Sequence, residues 1–105
     1  VRGYLELRAE AGARGMFREE PMQIERYIER YGNLLRLGRR KLLLFRVEDR
    51  GEGGVVLHLI EGGRWMRAWL LSRRPFETWV LEAGRGRRGP SFRVAGDRLV
   101  LLGAA

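Results

Sequence analysis

The chain has no cysteine, one histidine, one lysine and three prolines in 105 residues. Without cysteine there is neither a disulfide nor a thiolate metal site. The single His58 cannot build a histidine-rich metal centre, and no cofactor is expected. No apolar run approaches the roughly 18 residues of a membrane-spanning helix, and no secretory leader pattern opens the sequence. A cytoplasmic protein with no membrane partner is the expectation. Phosphate-binding loop, dinucleotide fingerprint, serine-nucleophile elbow and metal-ligand spacings are all missing. The glycines at 51, 53 and 54 fall between two strand-like segments and make a turn, not a phosphate cradle. No enzyme with a small-molecule substrate is expected.

Positive charge is what the chain has in excess. Lysine and arginine total 21 against 13 acidic residues, for a formal charge of +8 and a pI near 11.3. Such a balance favours a polyanionic partner. Twenty of the 21 basic residues are arginine, which stacks on planar groups and grips phosphate with a fork. A GC-rich genome yields the same bias. High charge, few amides and no cysteine also suit a thermophile. The length corresponds to one domain, residues 1–105, with one modest core.

Along the chain, residues 2–10 read as a strand and 11–18 as a loop. Glu19, Glu20 and Pro21 suit a helix start. Ile24, Tyr27, Ile28 and Tyr31 recur at helical spacing, and Gly32 suits a helix end. Leu34–Leu37 is a short apolar piece. Strands are expected over Lys41–Glu48, Val55–Ile60 and Arg64–Leu71, the last two joined by a tight hairpin at Glu61-Gly62-Gly63. Ser72, Pro75 and Gly84 bracket a second expected helix, with Phe76, Trp79, Val80 and Ala83 at i, i+3, i+4 and i+7. Gly84–Pro90 reads as a basic loop. Residues 92–94 and 98–102 form a terminal hairpin around Ala95-Gly96-Asp97. The fold class expected is α+β: an antiparallel sheet of about four to six strands with one face covered by two helices.

Period-two alternation divides that sheet into two faces. Leu43, Phe45, Val47, Val55, Leu57, Leu59, Met66, Ala68 and Leu70 would face the helices. Leu42, Leu44, Arg46, Val56, His58, Ile60, Trp65, Arg67 and Trp69 would face away. Trp65, Arg67 and Trp69 alternate indole, guanidinium and indole, a surface on which bases stack while phosphates are neutralised. A register shifted by one residue would bury both indoles instead.

Arg46 and His58 join the tryptophans on that face. Arg39, Arg40 and Lys41 before one strand, and Arg73 and Arg74 after another, are candidate phosphate contacts at one end of the sheet. Arg85, Arg87 and Arg88 lie in a glycine-rich loop able to order on a phosphate chain. For each basic cluster the bland alternative is a solvated strand end. His58 without an oriented partner is a weak general acid or base.

The segments Tyr31-Gly32-Asn33-Leu34-Leu35, Lys41–Val47 and Arg64–Trp69, within roughly residues 24–84, resemble ThermoDBP and related single-stranded-DNA-binding proteins of thermophilic archaea. The resemblance implies a sheet packed on helices, base stacking by Trp65 and Trp69, and phosphate contacts by Arg39, Arg40, Arg67 and Arg73. The extended dimerisation tail of that family is not visible. Coactivator-type and Pur-type binders are similar in outline. Single-stranded nucleic acid, DNA ahead of RNA, and a second copy of the chain in a homodimer are therefore the expected partners. Two alternatives stand beside this: a protein-interaction module whose arginines only aid solubility, and a small ribonuclease using His58 with Arg67.

Overall fold

A computed structural model describes residues 21–84 and 86–104. One helix, α1 (Ile24–Tyr31), precedes seven strands: β1 (Leu34–Leu37), β2 (Arg40–Asp49), β3 (Val55–Glu61), β4 (Arg64–Ser72), β5 (Glu77–Ala83), β6 (Arg87–Ala95) and β7 (Arg98–Ala104). Each strand pairs antiparallel with the next in sequence order. The sheet curls until β1 approaches β7, giving a nearly closed up-and-down barrel. Closing a sheet this way leaves its inward side chains to fill the interior.

The interior row on β1 to β6 follows from alternation, which register shifts interrupt locally. Leu35, Leu37, Leu42, Leu44, Leu57, Leu59, Met66, Ala68, Trp79, Leu81, Phe92 and Val94 are all buried and form one cluster. A fully buried Leu or Phe contributes about 1.5–3 kcal/mol by leaving water, and this inward row supplies most of the described core. Two-residue turns keep the meander tight. Between β3 and β4, Gly62 and Gly63 have φ of 55° and 80°, the left-handed pair that matches strand twist and that side chains resist.

The helix crosses one end of the barrel. Pro21, ahead of it, bridges Ala95 at the end of β6. The N–H of Ile24 donates to Glu77 at the start of β5, at 2.8 Å. Ile24 and Tyr27 insert into the core, and Gly32, whose N–H donates to the Ile28 carbonyl at 2.8 Å, turns the chain into β1. The β2–β3, β4–β5 and β6–β7 connections lie at this same end, since alternate turns of a meander share an end. The β1–β2, β3–β4 and β5–β6 turns surround the other end, the mouth. Among the described residues no helix is long and apolar enough to cross a membrane.

The expected fold class is thus corrected from a helix-covered sheet of four to six strands to a seven-stranded barrel with one helix in the described residues. The expected second helix is β5. Its 77–83 segment pairs with both β4 and β6, and Thr78-Trp79-Val80 is the aromatic and β-branched composition strands favour. Within its apparent helical stripe, Trp79 and Val80 are on opposite faces: Trp79 faces inward with Leu81, while Val80 lies outside opposite Trp69 and is buried beneath it. Arg87 and Arg88 belong to β6, not to a loop. Pro21 precedes the helix instead of opening it. The terminal hairpin is formed by β6 and β7. The strand expected over residues 2–10, the loop over 11–18, Glu19, Glu20 and Arg85 lie outside the described residues.

Candidate nucleic-acid interface

In an antiparallel sheet, directly opposed residues share a face, so the register defines the outer surface. On β4 the expected alternation holds: Met66 and Ala68 are buried, and Trp65 is 68% exposed. On β2 it is inverted. Leu42 and Leu44 are buried, whereas Leu43 and Phe45 are exposed. A register shift between Leu44 and Arg46 explains this. A bulge inserts one residue and changes which side chains face in; beyond it Val47 opposes the buried Leu57 but is itself exposed, against the expectation.

One cross-strand row on the outer face runs Leu34, Leu43, Ile60, Trp65. Leu34, Leu43 and Trp65 are exposed, and Phe45 stands beside them. The Phe45 and Trp65 rings meet edge to face, with centroids 4.9 Å apart. Towards the mouth this apolar row is bordered by Arg36 and Lys41, which oppose one another. On its other side runs a second row: Arg46, His58, Arg67, Glu82, Arg88. An aromatic and aliphatic strip therefore lies between two largely cationic borders.

The expected site residues divide sharply. Trp65 is on the strip, and Arg46, His58, Arg67 and Arg88 border it. Arg67 pairs with Glu82 at 2.9 Å. His58 Nε2 lies 2.7 Å from Glu48 Oε1, and Arg50 reaches the same carboxylate at 3.1 Å. The His58 hydrogen bond, followed by Arg50, holds Glu48 down to about 2, well below the usual carboxylate value. Arg67 and His58, the pair a ribonuclease reading would use, are opposed across β3 and β4, each engaged by its own carboxylate.

Trp69 is placed differently. It lies in the next row, between Val56 and Val80, both buried. The Arg50 guanidinium sits 5.0 Å from its ring centre and that of Arg67 5.9 Å away. Cation–π contact thus already occupies the indole, and Trp69 acts as a cover for two valines rather than an open stacking platform.

The basic clusters also separate. Strands two apart in a meander run parallel, so the start of β2 and the end of β4 lie at opposite ends of the barrel. Arg39, Arg40 and Lys41 are at the mouth; Arg73 and Arg74 are at the helix-covered end. Arg73 contacts the buried Glu77 at 3.4 Å. What joins Arg39–Lys41 at the mouth is Arg64 and Arg87, which line a common groove with Arg40 and Trp65. Phe45, Arg36 and Arg64 were not expected at the site. Phe45 was hidden by the bulge, and Arg36 by the brevity of β1. Arg64 had a usable signal: it abuts Trp65 and directly follows the Gly62-Gly63 turn.

Compared with family models, with curated proteins and with solved structures, the chain matches none, and its function is argued from its own residues.

Proposed function

We propose that this protein is a non-enzymatic, cytoplasmic binder of single-stranded nucleic acid with little sequence preference. The observation that carries this reading is the exposed Trp65–Phe45 pair on an apolar strip between two largely cationic borders. Bases unstacked from a single strand lie on the strip; phosphates on either side meet Arg36 and Lys41, or Arg46, Arg67 and Arg88. A duplex keeps its bases stacked inside and gains only the charge contribution. Stacking is insensitive to base identity because every base has a π-face.

The test is fluorescence anisotropy with labelled single-stranded DNA, matched duplex and single-stranded RNA at low and high salt, with tryptophan emission recorded together. Single strands are expected to bind tightest, with quenching, and affinity to fall steeply with salt as counterions are released. Trp65→Ala and Phe45→Ala should each lower single-strand affinity by roughly 5- to 150-fold, the range for loss of one stacked base. Equal weak binding to all three, unchanged in both variants, would reject the strip as the site. A second reading has its own support: Leu34 and Leu43 are exposed beside each other near the sheet edge, as in a homodimer contact. A salt-insensitive dimer that binds no nucleic acid would favour it.

A further inference from the structure

The mouth of the barrel holds charges on its inward-facing register. Arg40 lies two residues before the buried Leu42, Glu61 two after Leu59, and Arg64 two before Met66. Arg87 opposes Ala83, which itself opposes Met66. These four charged residues line one groove of about 690 Å³, with Met66, Ala83, Gly63 and Gly84 around them and Trp65 at the rim. Barrel mouths are favoured positions for ligand sites.

Charge is not balanced there. Arg40 and Glu61 satisfy each other through two hydrogen bonds, of 2.8 and 2.6 Å. That pairing raises Arg40 above its ordinary value and lowers Glu61 below its own. Arg64 adds a weaker, longer-range attraction to the same carboxylate. Among the described residues, neither Arg64 nor Arg87 has a carboxylate within ion-pairing distance. Two guanidiniums thus remain over a groove whose other side chains are the mutually satisfied Arg40–Glu61 pair, Trp65, Met66 and Ala83. Their counterpart is a compact dianion. A phosphodiester carries one charge, whereas a phosphomonoester carries about −1.5 to −2 at neutral pH and offers three acceptor oxygens. Arg forks match that geometry.

We propose that the barrel mouth binds a nucleotide phosphomonoester, with the phosphate between Arg64 and Arg87 and the adjoining base against Trp65. This rests on the nucleic-acid reading of the outer strip: Trp65 belongs to both, so a strand seated on the strip would end in the mouth. The phosphomonoester is either the end of a strand or a free mononucleotide.

The experiment compares one single-stranded oligonucleotide with a 5′-phosphate, a 3′-phosphate or hydroxyl ends, by anisotropy, and titrates a nucleoside monophosphate against its nucleoside by tryptophan emission. Wild type, Arg64→Gln, Arg87→Gln and Phe45→Ala are used, each first checked for an unchanged far-ultraviolet spectrum. A terminal phosphate is expected to raise affinity roughly tenfold or more, the worth of one charge-assisted hydrogen bond. The gain should vanish in both arginine variants and persist in Phe45→Ala. Which end carries the gain identifies the strand polarity. A nucleoside monophosphate that binds in an Arg87-dependent manner, with no oligonucleotide binding, would support the mouth site for free nucleotides and overturn the strip. Oligonucleotides that bind equally with and without a terminal phosphate, with no response to the monophosphate, would leave the strip standing and overturn the mouth site.

Discussion

At the end of the barrel crossed by α1, Arg50 and Arg73 each reach a carboxylate, Glu48 and Glu77. At the mouth, among the described residues, Arg40 is matched by Glu61, while Arg64 and Arg87 face a groove. The same residue type does different work at the two ends. Where a glutamate lies within reach the guanidinium is engaged by it; among the described residues Arg64 and Arg87 have none. Net charge alone does not separate these uses, since both ends are rich in arginine. The decisive quantity is the local ratio of guanidinium to carboxylate.

The largest effect on stability should come from the helix-covered end. Glu77 is buried and accepts the Ile24 N–H. Glu77→Ala removes the acceptor and leaves that donor unsatisfied, at a cost of about 1–3 kcal/mol, measurable by urea unfolding. Oligonucleotide affinity should hold, because the strip and mouth lie away from this end. A variant as stable as wild type would show that the helix is not held by Glu77.

The two carboxylates of this end should also respond to pH with opposite signs. Glu48 is held at about 2 against an ordinary 4.5. Its contribution is therefore present above pH 4.5 and lost as pH falls through about 2. Glu77 is raised above 4.5, chiefly by burial, with the Ile24 N–H opposing. Its neutral form favours the folded state; that contribution is full below pH 4.5 and is lost as pH rises through the raised value. Glu48→Gln should flatten the acid limb of a stability–pH profile, and Glu77→Gln the limb above 4.5. Parallel changes in both variants would contradict these opposite assignments.

At the mouth the expected stability effects are smaller. Arg64→Gln and Arg87→Gln should each change unfolding free energy by no more than about 0.5 kcal/mol, as for surface positions without structural partners, in contrast to Glu77→Ala. Glu61→Gln is the most delicate variant. It releases Arg40, costs about 1 kcal/mol for a partly buried pair, and should tighten binding of a phosphorylated oligonucleotide. Weaker binding after Glu61→Gln would mean that the Arg40–Glu61 pair positions the groove rather than masking a cation.

Part of this was legible in the residues. The Trp65 strand, its inward Met66 and Ala68, the Gly62-Gly63 hairpin and the helix stripe from Ile24 all follow from local periodicity, and the structure has them in place. The phase of β2 was not legible, because a bulge near Phe45 is a matter of pairing with β3. Nor was β5, where Val80 on the outer face is buried as fully as the inward Trp79, so that the apolar pattern does not alternate. Trp65 and Trp69 look equivalent in sequence, yet one is open and the other lies under Arg50. That difference comes from the β2–β3 connection carrying Arg50, which is remote from either tryptophan in sequence.

By itself, then, the sequence determined the basic charge, the absence of thiol chemistry, most strand positions and the alternation of β4. These depend on composition or on neighbours within a few residues. Only the tertiary structure decided that the sheet curls into a barrel, that Phe45 joins Trp65, that Arg73 and Arg74 part from Arg39–Lys41, and that Arg64 and Arg87 share a mouth. Each of those depends on which strands pair and in what register. Turn geometry and alternation set the register of a single hairpin, but the bulges that shift it and the approach of β1 to β7 depend on cross-strand contacts between residues far apart in the chain.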